Sequence, residues 1–134
     1  MSGRPVIAEK PWRSFGPPRP GVPAVALATQ LHLARWSAMP AFVRHTYGST
    51  RQLSRTPGVL GYSLRAAPHR RTFWTLTLWE DRAAMAAYVR AEPHRTAMRW
   101  LTEDLGSFVS TDWTVAGDAG APTWEDGLSR LGSA

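Results

Sequence analysis

Four histidines are the side chains in this 134-residue sequence best suited to chemistry near neutral pH. They are His32, His45, His69 and His94, and none has a second metal ligand at the i, i+4 spacing of helical zinc sites. The sequence contains no cysteine, no glycine-rich phosphate loop and no nucleophile elbow. It therefore predicts no protein-held metal site, and proton transfer by an imidazole is the chemistry to consider.

The stretch from Arg71 to Met98 predicts the elements that position His94. Its first part, Arg71 to Trp79, is rich in threonine, leucine and aromatic residues and lacks glycine and proline, which is typical of a buried strand. Asp81 can accept a hydrogen bond from the first free N–H groups of a helix, and the alanine-rich segment after it predicts that helix. Pro93 ends or kinks this helix, and a second helical piece is predicted from His94 to Leu105.

The other predicted elements complete an antiparallel sheet. They are a strand over Ala24–Leu33, a helix from a Ser37 cap to about Arg55, and strands over Val59–Arg65 and Ser107–Val115. The order β-α-β-β-α-β predicts an α+β, ferredoxin-like fold, in which two helices cover one face of a four-stranded antiparallel sheet. The strands are apolar on both faces, so we expect a homodimer that buries the second face.

The two ends of the chain differ in composition from its centre. Residues 1–23 contain six prolines and are predicted to be an extended arm without a regular element. Residues 24–116 are predicted to form the ferredoxin-like domain, and residues 117–134 a tail with a short helix near Trp124, Leu128 and Leu131. The length fits one domain.

Charge and hydropathy narrow the classes of partner. The net charge of +6 comes almost wholly from arginine, with Lys10 as the sole lysine, but the arginines are scattered, so no nucleic-acid partner is predicted. The longest apolar run, Val22 to Ala28, is far shorter than the ~20 residues of a membrane span. With no cysteine and no signal-peptide pattern, a cytoplasmic location is the expectation.

One sequence pattern resembles a known family. Trp79 ends a strand, an acidic pair and an alanine-rich helix carrying Tyr88 follow, and then comes the step Glu92-Pro93-His94. This order resembles the second half of the antibiotic-biosynthesis-monooxygenase-like proteins of the dimeric α/β barrel superfamily. The run Phe73-Trp74-Thr75-Leu76 before Trp79 is similar to the spheroidene-monooxygenase-like branch.

The resemblance implies a mostly apolar ligand pocket between the sheet and the helices of each subunit. It gives His94, His45 and Trp79 as catalytic candidates, and Gln30, Phe42, Tyr62, Phe73, Tyr88 and Met98 as substrate contacts. An alternative for Trp79 is ordinary core packing, and for His94 an ordinary position in the first turn of a helix. Met98 stands where haem-degrading relatives have a ligand histidine, which argues against that subgroup.

Two functions follow from the resemblance. The first is a small monooxygenase of secondary metabolism, cofactor-free or haem-dependent, that acts on a hydrophobic aromatic or polyene substrate. In the cofactor-free form a histidine removes a proton and the substrate itself reacts with oxygen. The second is a protein that binds haem or another hydrophobic ligand without turnover.

Overall fold

A computed structural model of the chain describes residues 8–16, 21–101, 106–116 and 120–132. Within these ranges the elements are β1 Ala8–Ser14, β2 Ala24–Leu33, α1 Met39–Leu53, β3 Val59–Ala67, β4 Thr72–Trp79, α2 Arg82–Arg90, α3 His94–Trp100, β5 Gly106–Val115 and α4 Trp124–Arg130. The fold is therefore α+β and ferredoxin-like, as predicted. The predicted extension of α3 to Leu105 falls on residues 102–105, outside the described ranges.

The helix starts follow from local chemistry, and one differs from the prediction. The Asp81 carboxylate accepts a hydrogen bond from the Ala84 N–H at 2.8 Å, which confirms Asp81 as the cap of α2. Helix α1 instead continues from a 3-10 turn over Trp36–Ala38, and no side chain caps it, so the prediction of a Ser37 cap is wrong. Pro40 lies in the first turn, where its missing N–H costs no hydrogen bond.

The sheet contains five antiparallel strands in the order β1-β3-β4-β2-β5. Four of these strands, β2, β3, β4 and β5, are the predicted ones. The fifth, β1, pairs with β3 and comes from the segment predicted to form no regular element, and that prediction is wrong for Ala8–Ser14. Proline is tolerated in an edge strand, because the N–H groups on the outer side of such a strand have no neighbouring strand to bond to. Pro11 is therefore compatible with β1.

One face of the sheet is covered by α1, α2 and α3, and large side chains fill the space between. One cluster contains Val25, Leu53, Val59, Tyr62, Trp79 and Tyr88. A neighbouring cluster contains Leu31, Leu33, Phe73 and Leu101, with Phe42 and Met98 packed against it. Each fully buried large apolar side chain contributes about 1.5–3 kcal/mol to folding, so this face holds most of the core's stabilisation.

The opposite face presents small side chains along β2, and α4 covers part of it. Ala24, Ala26 and Ala28 of β2 are buried there, in one cluster with Leu76, Leu78 and Trp113. Gly127 of α4 comes so close that an added Cβ would lie 3.6 Å from the Ala28 Cβ and 3.3 Å from the Leu76 Cδ1. The sequence predicts that a second copy of the chain buries this face, whereas the chain's own C-terminal helix covers the part around Ala24, Ala26 and Ala28.

Polar contacts hold α4 in place. The Trp124 indole N–H donates to the Ser63 hydroxyl at 3.1 Å. The guanidinium of Arg65 lies 4.9 Å from the centre of the Trp124 ring, and that of Arg130 lies 4.6 Å from the centre of the Trp113 ring. Beyond α4 the same face stays partly open.

Candidate active site

Three of the predicted site residues meet under α2 and α3. The ring centres of Trp79 and Tyr88 are 5.2 Å apart, and those of Tyr88 and His94 are 4.7 Å apart. Strand β4 supplies the first ring, α2 the second and the start of α3 the third. The three side chains form a continuous row from the sheet to the helical layer, which we call the Trp-Tyr-His row.

A residue missed in the sequence, Gln52 of α1, ties this row together. Its amide nitrogen donates to the Tyr88 carbonyl at 3.1 Å, and its amide oxygen accepts from the His94 N–H at 2.8 Å. The Tyr88 hydroxyl donates to the Ser49 carbonyl at 3.1 Å. Both partners of Gln52 lie about forty positions further along the chain, as the separations of 36 and 42 residues show, so no local signal could identify it.

Burial sets the protonation of the two titratable members. Burial lowers the pKa of His94 below its ordinary 6.5, although a hydrogen bond to the Val89 carbonyl opposes this shift. Burial also raises the pKa of Tyr88 well above 10.0, while its bond to Ser49 opposes the rise. At neutral pH the site therefore contains a neutral imidazole beside a protonated phenol.

The carbonyl group of Val89 determines which tautomer of the His94 imidazole is present. The His94 Nδ1 lies 3.3 Å from the Val89 carbonyl oxygen, which can only accept a hydrogen bond. The neutral ring therefore carries its proton on Nδ1 and keeps a free lone pair on Nε2. Such a nitrogen can take a proton from a ligand.

Tyr88 forms part of the floor of a groove of about 820 Å³ between α1 and α2. Its walls are mainly small or apolar residues, Gly48, Pro57, Gly58, Ala83, Ala84, Ala87, Ala91 and Pro93. Arg51, Arg55, Glu80 and Glu92 add charge to the lining. An apolar groove with a few polar groups suits a hydrophobic ligand.

The groove's place corrects the predicted pocket. The expectation was a cavity between sheet and helices, but in the described part of the chain aromatic side chains occupy that layer. Trp79 is 0% exposed, and its indole N–H donates to the Thr77 hydroxyl at 2.8 Å, so its polar group is satisfied by the protein. Open space remains between the helices instead.

The other predicted contacts lie apart from the row. Phe42 and Phe73 pack with ring centres 4.2 Å apart, in the same cluster as Met98. His45 lies against Trp100 at 4.6 Å. Burial, and then the charge of Arg44, lower the pKa of His45.

Two more predicted contacts do not line the groove. Tyr62 is buried in the same cluster as Trp79 and Tyr88, with its ring centre 5.8 Å from that of Phe15. Gln30 is on the opposite face of the sheet, where its amide oxygen accepts a hydrogen bond from the Trp74 indole at 2.9 Å. The sheet thus separates Gln30 from the Trp-Tyr-His row.

Within residues 8–16, 21–101, 106–116 and 120–132, no group of three or more histidines, cysteines or carboxylates is placed to hold a metal ion. None of the helices described is both long and apolar enough to cross a membrane.

The part of the chain that contains the groove and the row matches a known family. The model of the antibiotic biosynthesis monooxygenase domain matches residues 34–100. The chain belongs to this family. Its matched region runs from the residues before α1 to the end of α3, whereas β1, β5 and α4 lie outside it.

Solved structures share the monooxygenase fold at low sequence identity. SnoaB, a cofactor-independent oxygenase from Streptomyces nogalater, is 18% identical, with 72% of this chain and 97% of that chain covered at a TM-score of 0.56. A conserved protein from Bacteroides thetaiotaomicron VPI-5482 is 12% identical over 70% and 99% of the two chains, at a TM-score of 0.60.

A third similar structure is LmHde, a heme-degrading enzyme from Listeria monocytogenes. It is 16% identical, with 73% of this chain and 65% of that chain covered, at a TM-score of 0.55. Among curated proteins, none matches this chain significantly. At these identities the solved structures establish the fold of this family member and not its reaction.

Proposed function

We propose that this member of the family is a small cofactor-free monooxygenase that acts on a hydrophobic aromatic substrate. The carrying observation is that Tyr88 and Pro93 line an apolar groove, and that His94, which is not itself a lining residue, follows Pro93 and packs on Tyr88 with ring centres 4.7 Å apart. A polyene is the alternative substrate class. A role in secondary metabolism and a cytoplasmic location stay predictions.

His94 is the proposed base. Its Nε2 would remove a proton from an activated C–H or O–H group of the substrate, since burial keeps the ring neutral near pH 7. The resulting carbanion, or a phenolate with its charge delocalised onto ring carbon, reacts with molecular oxygen. For an activated methylene, one oxygen atom is retained as a carbonyl and the other leaves as water, so the substrate supplies all the electrons.

The neighbouring groups would bind and orient the substrate. Tyr88 offers an aromatic surface in the groove, and its phenol stays protonated because burial raises its pKa. Trp79 lies behind Tyr88 as a packing support, with no exposed surface of its own. Gln52 positions the row by binding the backbone of Tyr88 and His94.

Haem binding is the alternative, because LmHde has the same fold. A haem between sheet and helices does not fit the described residues, since Trp79, Tyr62 and Phe73 already pack there. Met98, near His94 on α3, belongs to this packed layer as well. The proposed reaction therefore uses no haem.

We also propose a homodimer, formed through the half of the sheet that α4 leaves open. Val109 of β5 is 48% exposed there, beside Gln30 and Trp74. Val109→Lys should convert the dimer to monomer, as measured by sedimentation at micromolar concentration. Val43→Lys, which changes a valine 42% exposed on α1, is the matched control. A wild-type monomer would contradict this proposal.

Oxygen uptake with phenolic and other aromatic substrates tests the enzyme proposal. His94→Gln should lower turnover by about a hundredfold or more, the usual range for losing a general base. His69→Gln changes an exposed histidine outside the groove and should have no effect. His45→Gln tests the second candidate base.

Three results would contradict the proposal. They are the absence of oxygen uptake with every substrate, unchanged turnover in His94→Gln, or a loss confined to His45→Gln. A haemin titration followed by absorbance is the parallel measurement. Saturable binding of one haem per chain would favour the alternative.

A further inference from the structure

A bulge in β1 places two cations on the same face of the sheet. Lys10 pairs with Leu64 and Arg13 pairs with Tyr62, so three residue steps on β1 oppose two on β3. In a regular strand, side chains three positions apart point to opposite faces, and the one-residue bulge reverses this for Arg13. Both cations therefore lie on the side of Tyr62 and Leu64, which faces α1.

The bulge is stabilised by contacts of its own. The Ser63 hydroxyl donates to the Lys10 carbonyl at 2.7 Å. Trp12, within the bulge, lies over Gly61 so closely that an added Cβ would be 2.5 Å from the indole. The strand thus directs its tryptophan to one face and its two cations to the other.

A cleft of about 230 Å³ lies between these cations and α1. It is lined by Lys10, Arg13, Tyr47, Thr50, Arg51, Ser54 and Tyr62. Three of these residues are cationic, and none of the described lining residues is acidic. Glu9, the carboxylate next to Lys10, is paired with Arg65 at 2.7 Å.

The groups available to a ligand in this cleft are hydrogen-bond donors. The hydroxyls of Thr50 and Ser54 already donate to backbone carbonyls of α1. The ammonium of Lys10, the guanidinium groups of Arg13 and Arg51, and the phenol of Tyr47 then offer protons. A ligand that accepts several charge-assisted hydrogen bonds is an oxyanion.

We propose that this cleft, which we call the β1–α1 cleft, binds a small molecule that carries a carboxylate or phosphate group. An oxyanion there would offset the repulsion among the two cations that the bulge places on one face and Arg51 of α1. Lys10 and Arg13 lie outside the family-matched region, so the N-terminal strand supplies two of the three cations of the cleft. It is independent of the proposed oxygenase reaction.

Calorimetric titration of the full chain tests this site with three probes. The probes are inorganic phosphate, benzoate and benzamide, the uncharged analogue of benzoate. We expect saturable binding of at least one of the two anions and none of benzamide. A preference for phosphate or for benzoate identifies which kind of oxyanion the cleft recognises.

Substitutions locate the binding. Lys10→Gln and Arg13→Gln should each raise the dissociation constant about tenfold, the loss expected for one charge-assisted hydrogen bond. Arg51→Gln should do the same, but Arg51 also lines the groove, so the β1 variants are decisive. Arg44→Gln, an exposed arginine of α1 outside the cleft, is the control of equal charge change.

Three results would overturn the proposal. They are no binding of either anion by the wild type, equal binding of benzamide, or an equal loss in Arg44→Gln. The last would show a response to net charge rather than to this cleft. Circular dichroism of each variant confirms that the fold is kept, and the double variant Lys10→Gln, Arg13→Gln checks that the losses accumulate.

Discussion

The two faces of the sheet differ in how helices pack against them. On the side of α1 to α3, large rings such as Trp79, Tyr88 and Phe73 fill the interior, and open space is found between helices. On the other side, three alanines and Gly127 allow α4 to lie directly against the strands. Large residues keep a helix at a distance, whereas small residues let it come close.

The same contrast extends to polar groups. On the side of α1 to α3, Tyr88 and His94 have shifted pKa values and lie near a groove. On the α4 side, the polar contacts of Trp124 and Arg130 connect α4 to the sheet. The groups with shifted pKa values and the contacts that attach α4 thus lie on opposite faces of the sheet.

Among the substitutions on the side of α1 to α3, Trp79→Ala should destabilise the fold the most. Removing a fully buried indole is expected to lower the free energy of unfolding by about 3–5 kcal/mol, measured by urea denaturation. Trp36→Ala, at a tryptophan 54% exposed, should cost less than about 1 kcal/mol. Equal losses in both variants would show that Trp79 does not anchor this face.

Gly127→Val tests the α4 side. The new side chain would press on Leu76 and Ala28, and overpacking of this kind costs about 1–3 kcal/mol, seen as a lower midpoint in thermal unfolding. Gly16→Ala is the control, because nothing lies within 4 Å of its added Cβ. Unchanged stability in Gly127→Val would mean that α4 does not pack against the sheet.

Tyr88→Phe isolates the polar contribution to the Trp-Tyr-His row. It removes the hydrogen bond to the Ser49 carbonyl but keeps the ring, so we expect a loss of about 0.5–1.5 kcal/mol in chemical denaturation. Tyr47→Phe, at a tyrosine 69% exposed, should change stability by less than about 0.5 kcal/mol. A stabilised Tyr88→Phe would contradict the importance of this bond.

The smallest effect expected is a pH dependence from His94. Its pKa is lowered in the folded state, so the unfolded chain binds more protons between the two pKa values. Stability should therefore be full above about pH 6.5 and decline on acidification below it. His94→Gln should flatten the curve in part, and His45, shifted in the same direction, supplies a remaining slope. A steeper curve in His94→Gln would contradict this assignment.

Sequence patterns predicted the central fold because its signals are local. The alternation in Ala24–Leu33, the Asp81 cap and the break at Pro93 each depend on neighbouring residues. Strand β1 was missed because its stability comes from pairing with β3, more than forty positions away, and proline content alone argued against it. Tertiary pairing overrode local propensity there.

The candidate site was predictable only in part. The resemblance placed Trp79, Tyr88 and His94 together because it carries information about tertiary position. Gln52 gave no local signal, since it acts through contacts to backbone far along the chain. The coverage of the sheet by α4 was likewise missed, because alternation tells which residues share a face but not what lies over it.

The two outer edges of the sheet have unequal tendencies to recruit another chain. Strand β1 presents Pro11, which has no N–H to donate, between charged residues, and such an edge resists addition of a foreign strand. Strand β5 presents Phe108 and Val109, 44% and 48% exposed, without a proline. If newly made chains aggregate during overproduction, we expect foreign strands to add at β5 and not at β1.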